Sequence, residues 1–169
     1  GSQSIGLNIS IAAPGRVFIR GRGLDAELGG QLGIGGTTAN VIPSGRFDLI
    51  RGRLSILGTR LDLTEGSATL QGNFDPQIQL RAVTRAGEYQ IFIDVSGPVS
   101  APTIRLSASP ALPEDEILAQ LLFGRSVSSL SPVQLLQMAD AAAPPVGGGG
   151  NRGIWGNLRY VLVNVIRVV

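Results

Sequence analysis

From Val17 to Ala108 apolar and polar residues alternate with a period of two, in short runs separated by glycine-containing turns. A helix repeats every 3.6 residues, so this spacing selects half-buried β-strands with one wet and one dry face. Phe47 and Leu49 share a face in "GRFDLI", as do Leu61 and Leu63 in "RLDLTEG" and Ala68 and Leu70 in "SATLQGNFDP". Ile78 and Leu80 align in "QIQLRAVTRAG", and Ile104 and Leu106 in "PTIRLSAS". The longest run, "EYQIFIDVSGP", sets Tyr89, Ile91, Ile93 and Val95 against Gln90, Phe92, Asp94 and Ser96. The chain is expected to be mainly β.

The dry face needs a cover, and three covers fit the pattern: a second sheet, a helix, or a bound apolar ligand. Alternation alone more often ends as a closed sandwich core, and it fixes neither strand order nor the direction of pairing. Hydrophobic residues are 43% of the chain and aromatics 5%, so whatever the face meets, it meets it with aliphatic side chains.

Composition also removes whole classes of chemistry. The chain contains no His, no Cys and no Lys; its 14 basic residues are all arginines. Without these residues there is no histidine base, no thiol nucleophile, no Schiff-base amine and no phosphate-loop lysine. An enzyme is not expected, and neither a metal nor a cofactor is called for. A formal charge of +2, with arginines scattered along the chain, does not make the dense basic patch of a nucleic-acid partner. "GRGLDA" at Gly21–Ala26 fits a dinucleotide-loop pattern. However, "LDAELGG" continues as another strand where a helix would have to begin, so the stretch reads as a turn between strands.

At "LPEDEILAQLLFG" the pattern changes to helical. Pro113 suits the first helical position, and Glu114, Asp115 and Glu116 meet the positive end of the helix dipole. Ile117, Leu118, Leu121 and Leu122 form a stripe that Gly124 closes. The acidic run is thus explained as a helix start, without metal or acid–base chemistry. "SPVQLLQMA" opens a second helix at Ser131-Pro132, with Val133, Leu136 and Ala139 on one face. The organisation expected is a sheet over 1–110, a helical cap over 111–143, a Pro/Gly linker over 144–153, and an apolar tail over 154–169 that fits a helix or a strand.

Taken together, "FIRGRGLDAELGGQLGIGGT", "SGRFDLIRGRLSILGTRLDLTEGSATLQGN" and "VSGPVSAPTIRLSASPALPEDEILAQLLFGRSVSSLSP" resemble the C-terminal domain family of TamB, the inner-membrane subunit of the bacterial translocation and assembly module. The resemblance covers about Arg16 to Ala143. It implies an elongated, curved sheet with a hydrophobic inner face, the β-taco, followed by short helices. It also implies a periplasmic location, with an anchor in the inner membrane supplied by an N-terminal segment outside this chain. The implied partners are TamA or a related outer-membrane barrel, and the implied cargo is phospholipid acyl chains. On this reading Phe47, Leu49, Leu61, Leu63, Leu70, Ile78, Leu80, Tyr89, Ile91, Ile93, Val95, Ile104 and Leu106 line a hydrophobic groove. Two other readings remain: a chaperone-like scaffold that binds unfolded outer-membrane β-strands, and a structural β-domain of a secreted adhesin. An uncovered groove and sheet edge would also suit a homodimer.

Overall fold

The computed structural model describes residues 3–21, 23–56 and 58–142. Seven strands form one open sheet, in the order of the chain. They are β1 (Ile9–Gly21), β2 (Leu24–Thr37), β3 (Asn40–Ile56), β4 (Thr59–Gln71), β5 (Gln77–Ala86), β6 (Tyr89–Pro98) and β7 (Thr103–Ser109). Each strand pairs antiparallel with the next, so the chain is an up-and-down meander whose edges, β1 and β7, never meet. The 17 residues of β3 extend about 55 Å at roughly 3.3 Å per residue, whereas β7 has only 7 residues. The sheet is therefore elongated at one edge and short at the other. Of "GRGLDA", Gly21 ends β1 and Leu24–Ala26 begin β2, so a strand follows, as the sequence context indicates.

Strict alternation over such long strands would carry the apolar residues only if the phase never slipped. It does slip, and bulges correct it. In β3 the inward residues are Leu54 and Gly52, then Leu49 and Phe47. The extra residue, Ile50, sits where the β2–β3 register shifts at Glu27/Leu28. In β4 the inward set passes from Leu61 and Leu63 to Gly66 and Ala68 across the extra Thr64. In β1 the residues Pro14 to Arg16 bulge opposite Gly29. In β3 and β4 the single extra residue restores the apolar set to one side. In β1 three residues stand against one, so Ala13 and Val17 keep the same phase. All three bulges bend and twist the strands that carry them. These three lie on β1, β3 and β4, with β2 between the first two, and fall on one line across the sheet.

Backbones approach closely along this line. A Cβ on Gly30 would run into the carbonyl oxygen of Arg46 on the neighbouring strand, although Gly30 itself has ordinary extended geometry. Gly87, in the β5–β6 hairpin, illustrates the opposite demand: its φ is 61°, and a Cβ there would meet nothing.

The cover over the dry face is a helix. After β7 the chain turns into α1 (Glu114–Phe123), then a single 3-10 turn at Val127–Ser129, then α2 (Pro132–Ala142). Ile117 and Leu121 of α1 join one core cluster with Leu54, Leu61, Leu63, Ile91 and Ile93 of the sheet. Leu118 and Ala119 form a second cluster with Leu130, against which Ile104 and Leu106 of β7 also pack. The hydroxyl of Thr59, at the start of β4, donates to the Leu121 carbonyl at 3.2 Å and fixes the helix against that end of the sheet. Pro113 is one position earlier than expected. It is the N-cap, extended at ψ 153°, and its carbonyl accepts the Ile117 N–H at 3.1 Å. Gly124 closes the helix in the left-handed conformation at φ 64°. In α2, Ser131 Oγ accepts the Gln134 N–H at 3.2 Å and Gln134 Oε1 accepts the Ser131 N–H at 3.0 Å, a reciprocal capping box. Val133 and Leu136 of that helix are exposed. The linker and apolar-tail expectations fall outside the described residues.

The two glycines separate two costs. Gly30→Ala is expected to destabilise by about 2–3 kcal/mol through collision with β3. Gly87→Ala should cost about 1 kcal/mol through its left-handed backbone alone. Urea denaturation midpoints measure both; equal losses would mean that β2 and β3 do not pack this closely at Gly30.

Candidate functional site

The register places the apolar residues of the alternating runs on one side of the sheet. Cross-strand rungs run Phe47–Ala68–Ile78, Leu63–Ala82–Ile93–Leu106 and Leu80–Val95–Ile104. Ile91 lies opposite Ala108, Leu70 opposite Gly45, and Tyr89 opposite Ala86. These residues are not equally accessible. Leu61, Ile91, Ile93 and Val95 are sealed at 1%, 0%, 4% and 4% exposure, in the same cluster as Ile117 and Leu121. Phe47, Leu70, Tyr89, Ile104 and Leu106 are half-buried.

Beside the helix-covered region the face remains open. A cavity of about 120 Å³ is bounded by Leu49, Leu63, Ile78 and Leu80, together with Ile19, Leu24, Ala26, Leu28, Leu54 and Ala68. It shares Ala26, Leu54, Leu63 and Ile78 with the cluster that α1 enters, so the cavity and the helix seat are two parts of one apolar surface. Its floor is low because small residues form it. A Cβ on Gly66 would stand 3.0 Å from Leu49 Cβ and 3.4 Å from Leu80 Cδ1. No polar or charged side chain is buried among the described residues.

Five wall residues, Ile19, Leu24, Ala26, Leu28 and Leu54, are absent from the set that the sequence singles out. Their signal is present: Leu24, Ala26 and Leu28 alternate through "LDAEL", within the stretch that resembles a nucleotide loop. The sequence shows this strand but not which of its faces joins the dry face of the later runs.

The opposite face is wet and is laced by charge. Glu65, Arg81, Asp94 and Arg105 occupy one rung in alternating sign across β4 to β7. Arg81 Nε donates to Asp94 Oδ1 at 2.7 Å and its Nη2 to Oδ2 at 3.1 Å. These hydrogen bonds, and then the carboxylate's charge, hold the Arg81 guanidinium above the ordinary arginine range, so it keeps its charge at any physiological pH. The guanidinium also lies 4.7 Å from the centre of the Phe92 ring. Nearer β1, Arg51 pairs with Glu27 at 2.7 Å and Arg20 with Asp25 at 3.3 Å.

Nothing here assembles a reactive centre. No group of His, Cys, Asp or Glu able to hold a metal ion occurs among the described residues. The acidic run at the start of α1 has structural work: Glu116 Oε2 accepts the Val127 N–H at 3.2 Å and ties the following turn to the helix. What the site offers is a long aliphatic surface, dry at one end under a helix and open at the other.

No curated protein matches the chain. A family model described as the TamB C-terminal domain matches residues 2–168, nearly its whole length, and the open antiparallel sheet with its apolar inner face agrees with that assignment: the chain belongs to the TamB C-terminal domain family.

Proposed function

We propose that this domain is a periplasmic β-taco segment whose inner face carries phospholipid acyl chains between the inner and outer membranes, and thereby supports outer-membrane protein assembly with TamA or a related barrel. Family membership makes the chain a scaffold or transport domain of envelope biogenesis, not an enzyme. The observation that carries the finer reading is the open cavity: its walls are aliphatic, its floor is small residues, and no buried polar side chain interrupts it among the described residues. At about 120 Å³ it falls below the ~300–1,000 Å³ of clefts that enclose a compact ligand, but it suits a section of a hydrocarbon chain. Each buried methylene gains about 0.8 kcal/mol, so a long acyl chain gains on the order of 10 kcal/mol before ordering costs, comparable to what it loses on leaving a bilayer. A wall without polar anchors lets a chain slide instead of fixing it. The inner-membrane anchor belongs to the same proposal. No helix among the described residues is long and apolar enough to cross a membrane.

A second reading, a scaffold that holds unfolded outer-membrane β-strands, draws on a different feature. β1 is an open edge, and its Ile9 and Ile11 are 48% and 51% exposed. An extended strand can add to such an edge by main-chain hydrogen bonds.

Photo-crosslinking in cells separates the two. A reactive residue at Leu49, on the cavity wall, is expected to capture phospholipid, and one at the neighbouring Asp48, on the wet face, is expected not to. Capture of outer-membrane protein at both positions, without lipid, would move the assignment to the strand scaffold. Filling the cavity gives a further test. Ala68→Phe should reduce co-purifying phospholipid at least fivefold while the circular dichroism of the sheet is unchanged; undiminished lipid would show that it lies elsewhere.

A further inference from the structure

The wet face is not uniformly balanced. Two rungs alternate in sign, Glu65–Arg81–Asp94–Arg105 across β4 to β7 and Arg20–Asp25–Arg53–Asp62 across β1 to β4, and the excess lies around the second. Across β1 to β4, Arg16, Phe18, Arg20, Asp25, Glu27, Arg51, Arg53, Arg60 and Asp62 surround a shallow basin of about 670 Å³. Five arginines there face three carboxylates, an excess equal to the formal +2 of the whole chain. Two of the arginines are engaged. Arg51 is bound to Glu27; Arg20 is bound to Asp25 and lies 4.8 Å from the centre of the Phe18 ring. Arg16, Arg53 and Arg60 make no ion pair within salt-bridge distance among the described residues. Arg53 stands between Asp25 and Asp62 on its rung, whereas the register sets no carboxylate directly opposite Arg16 or Arg60.

Two further features set this basin apart from an ordinary solvated face. Arg16 alone, among the described residues, combines a side chain with a positive φ, at 68°. It lies in the β1 bulge opposite Gly29. Such strain persists where the surroundings hold it, and it gathers at sites of function. Large apolar side chains also stand among the charges: Phe18 and Ile50 are both 49% exposed. Ile50 Cδ1 would lie 3.5 Å from a Cβ on Gly15, which places it on this side, at the bulge. Guanidinium groups match phosphate oxygens in a two-pronged geometry, and exposed aromatic and aliphatic tips beside them suit the boundary between head groups and acyl chains.

We infer that this basin docks on the phosphate head groups of an anionic bilayer surface, with Arg16, Arg53 and Arg60 as its contacts and Phe18 and Ile50 entering the interface. The inference rests on the acyl-groove reading and adds its membrane partner. β1 connects the two surfaces: its Arg16, Phe18 and Arg20 border the basin, while Ile19, between them in sequence, lines the apolar cavity on the other face. Because β1 is also the sheet's open edge, docking there sets the mouth of the groove beside the lipids it would take up or release.

Flotation of the whole chain with vesicles tests this. The unmodified protein is expected to float with mixed phosphatidylglycerol/phosphatidylcholine vesicles and not with phosphatidylcholine alone, and high salt should release it. R16Q/R53Q/R60Q should weaken that binding at least tenfold. Those changes leave the paired Arg20 and Arg51 in place, and circular dichroism verifies that the sheet is retained. The cavity-filled variant A68F should float as well as the unmodified protein. Loss of flotation in A68F would locate binding in the groove and overturn the inference, as would a triple variant that floats normally. Displacement by millimolar inorganic phosphate without any preference for anionic vesicles would assign the basin to a soluble anion, and would equally overturn it. Lipid capture at Leu49 reads the groove separately, so each reading can fail alone.

Discussion

Everything in this domain depends on keeping one face of a long sheet dry. A strand offers its side chains to alternate faces, and a slip of one residue would turn the whole apolar set toward water. Over strands as long as β3 the sequence does slip, and the extra residues Ile50 and Thr64 absorb it. The bulges therefore have two effects from one cause. They preserve the face, and they bend and twist the strands that form it. Neither effect needs a closed barrel or a second sheet, which is why β1 can stay an open edge.

The same constraint explains how much of the molecule was legible in its sequence. The rungs through Ile78, Ile91, Ile93, Val95, Ile104 and Leu106 follow unbroken alternation, and the register sets them on one side. Leu49 and Leu54 differ by an odd number yet share a face, and only the bulge between them makes this so. Period counting sees each run but not the phase that joins two runs. For the same reason Ile19, Leu24, Ala26 and Leu28 cannot be assigned to the groove face by counting alone, although each fits its own short alternation. The helix α1 was visible through Pro113, the acidic turn and Gly124, but its seat was not. Seat selection depends on the tertiary position of Thr59 and on the width of the face left after β7, and neither is a local property of the helix.

That seat has an energetic meaning. Ile117 and Leu121 occupy apolar surface continuous with the open cavity, so a hydrocarbon chain bound as proposed would make the same kind of contact as the helix does. Where α1 lies, Ile91 is at 0% exposure and no chain can enter. Where it does not, Gly66 and Ala68 leave the floor low. The length of surface open to a ligand is set by how far one short helix reaches across the sheet. The hydrogen bond from Thr59 to the Leu121 carbonyl marks that limit.

A dry inner face also dictates the character of the outer one. Every polar residue displaced from the groove by alternation must appear on the other side, and with no lysine in the chain the cations there are all arginines. Opposite charges one strand apart stabilise the rungs, as the two-pronged Arg81–Asp94 pair does over β5 and β6. Near β1 the supply of carboxylates runs short, so arginines are left over beside an edge strand whose inward residue, Ile19, belongs to the cavity wall. Alternation thus places excess positive charge and open apolar surface on opposite sides of one strand. A phospholipid has the same arrangement, with charge at one end and hydrocarbon at the other, and on the proposed function β1 is where both ends would find their complements.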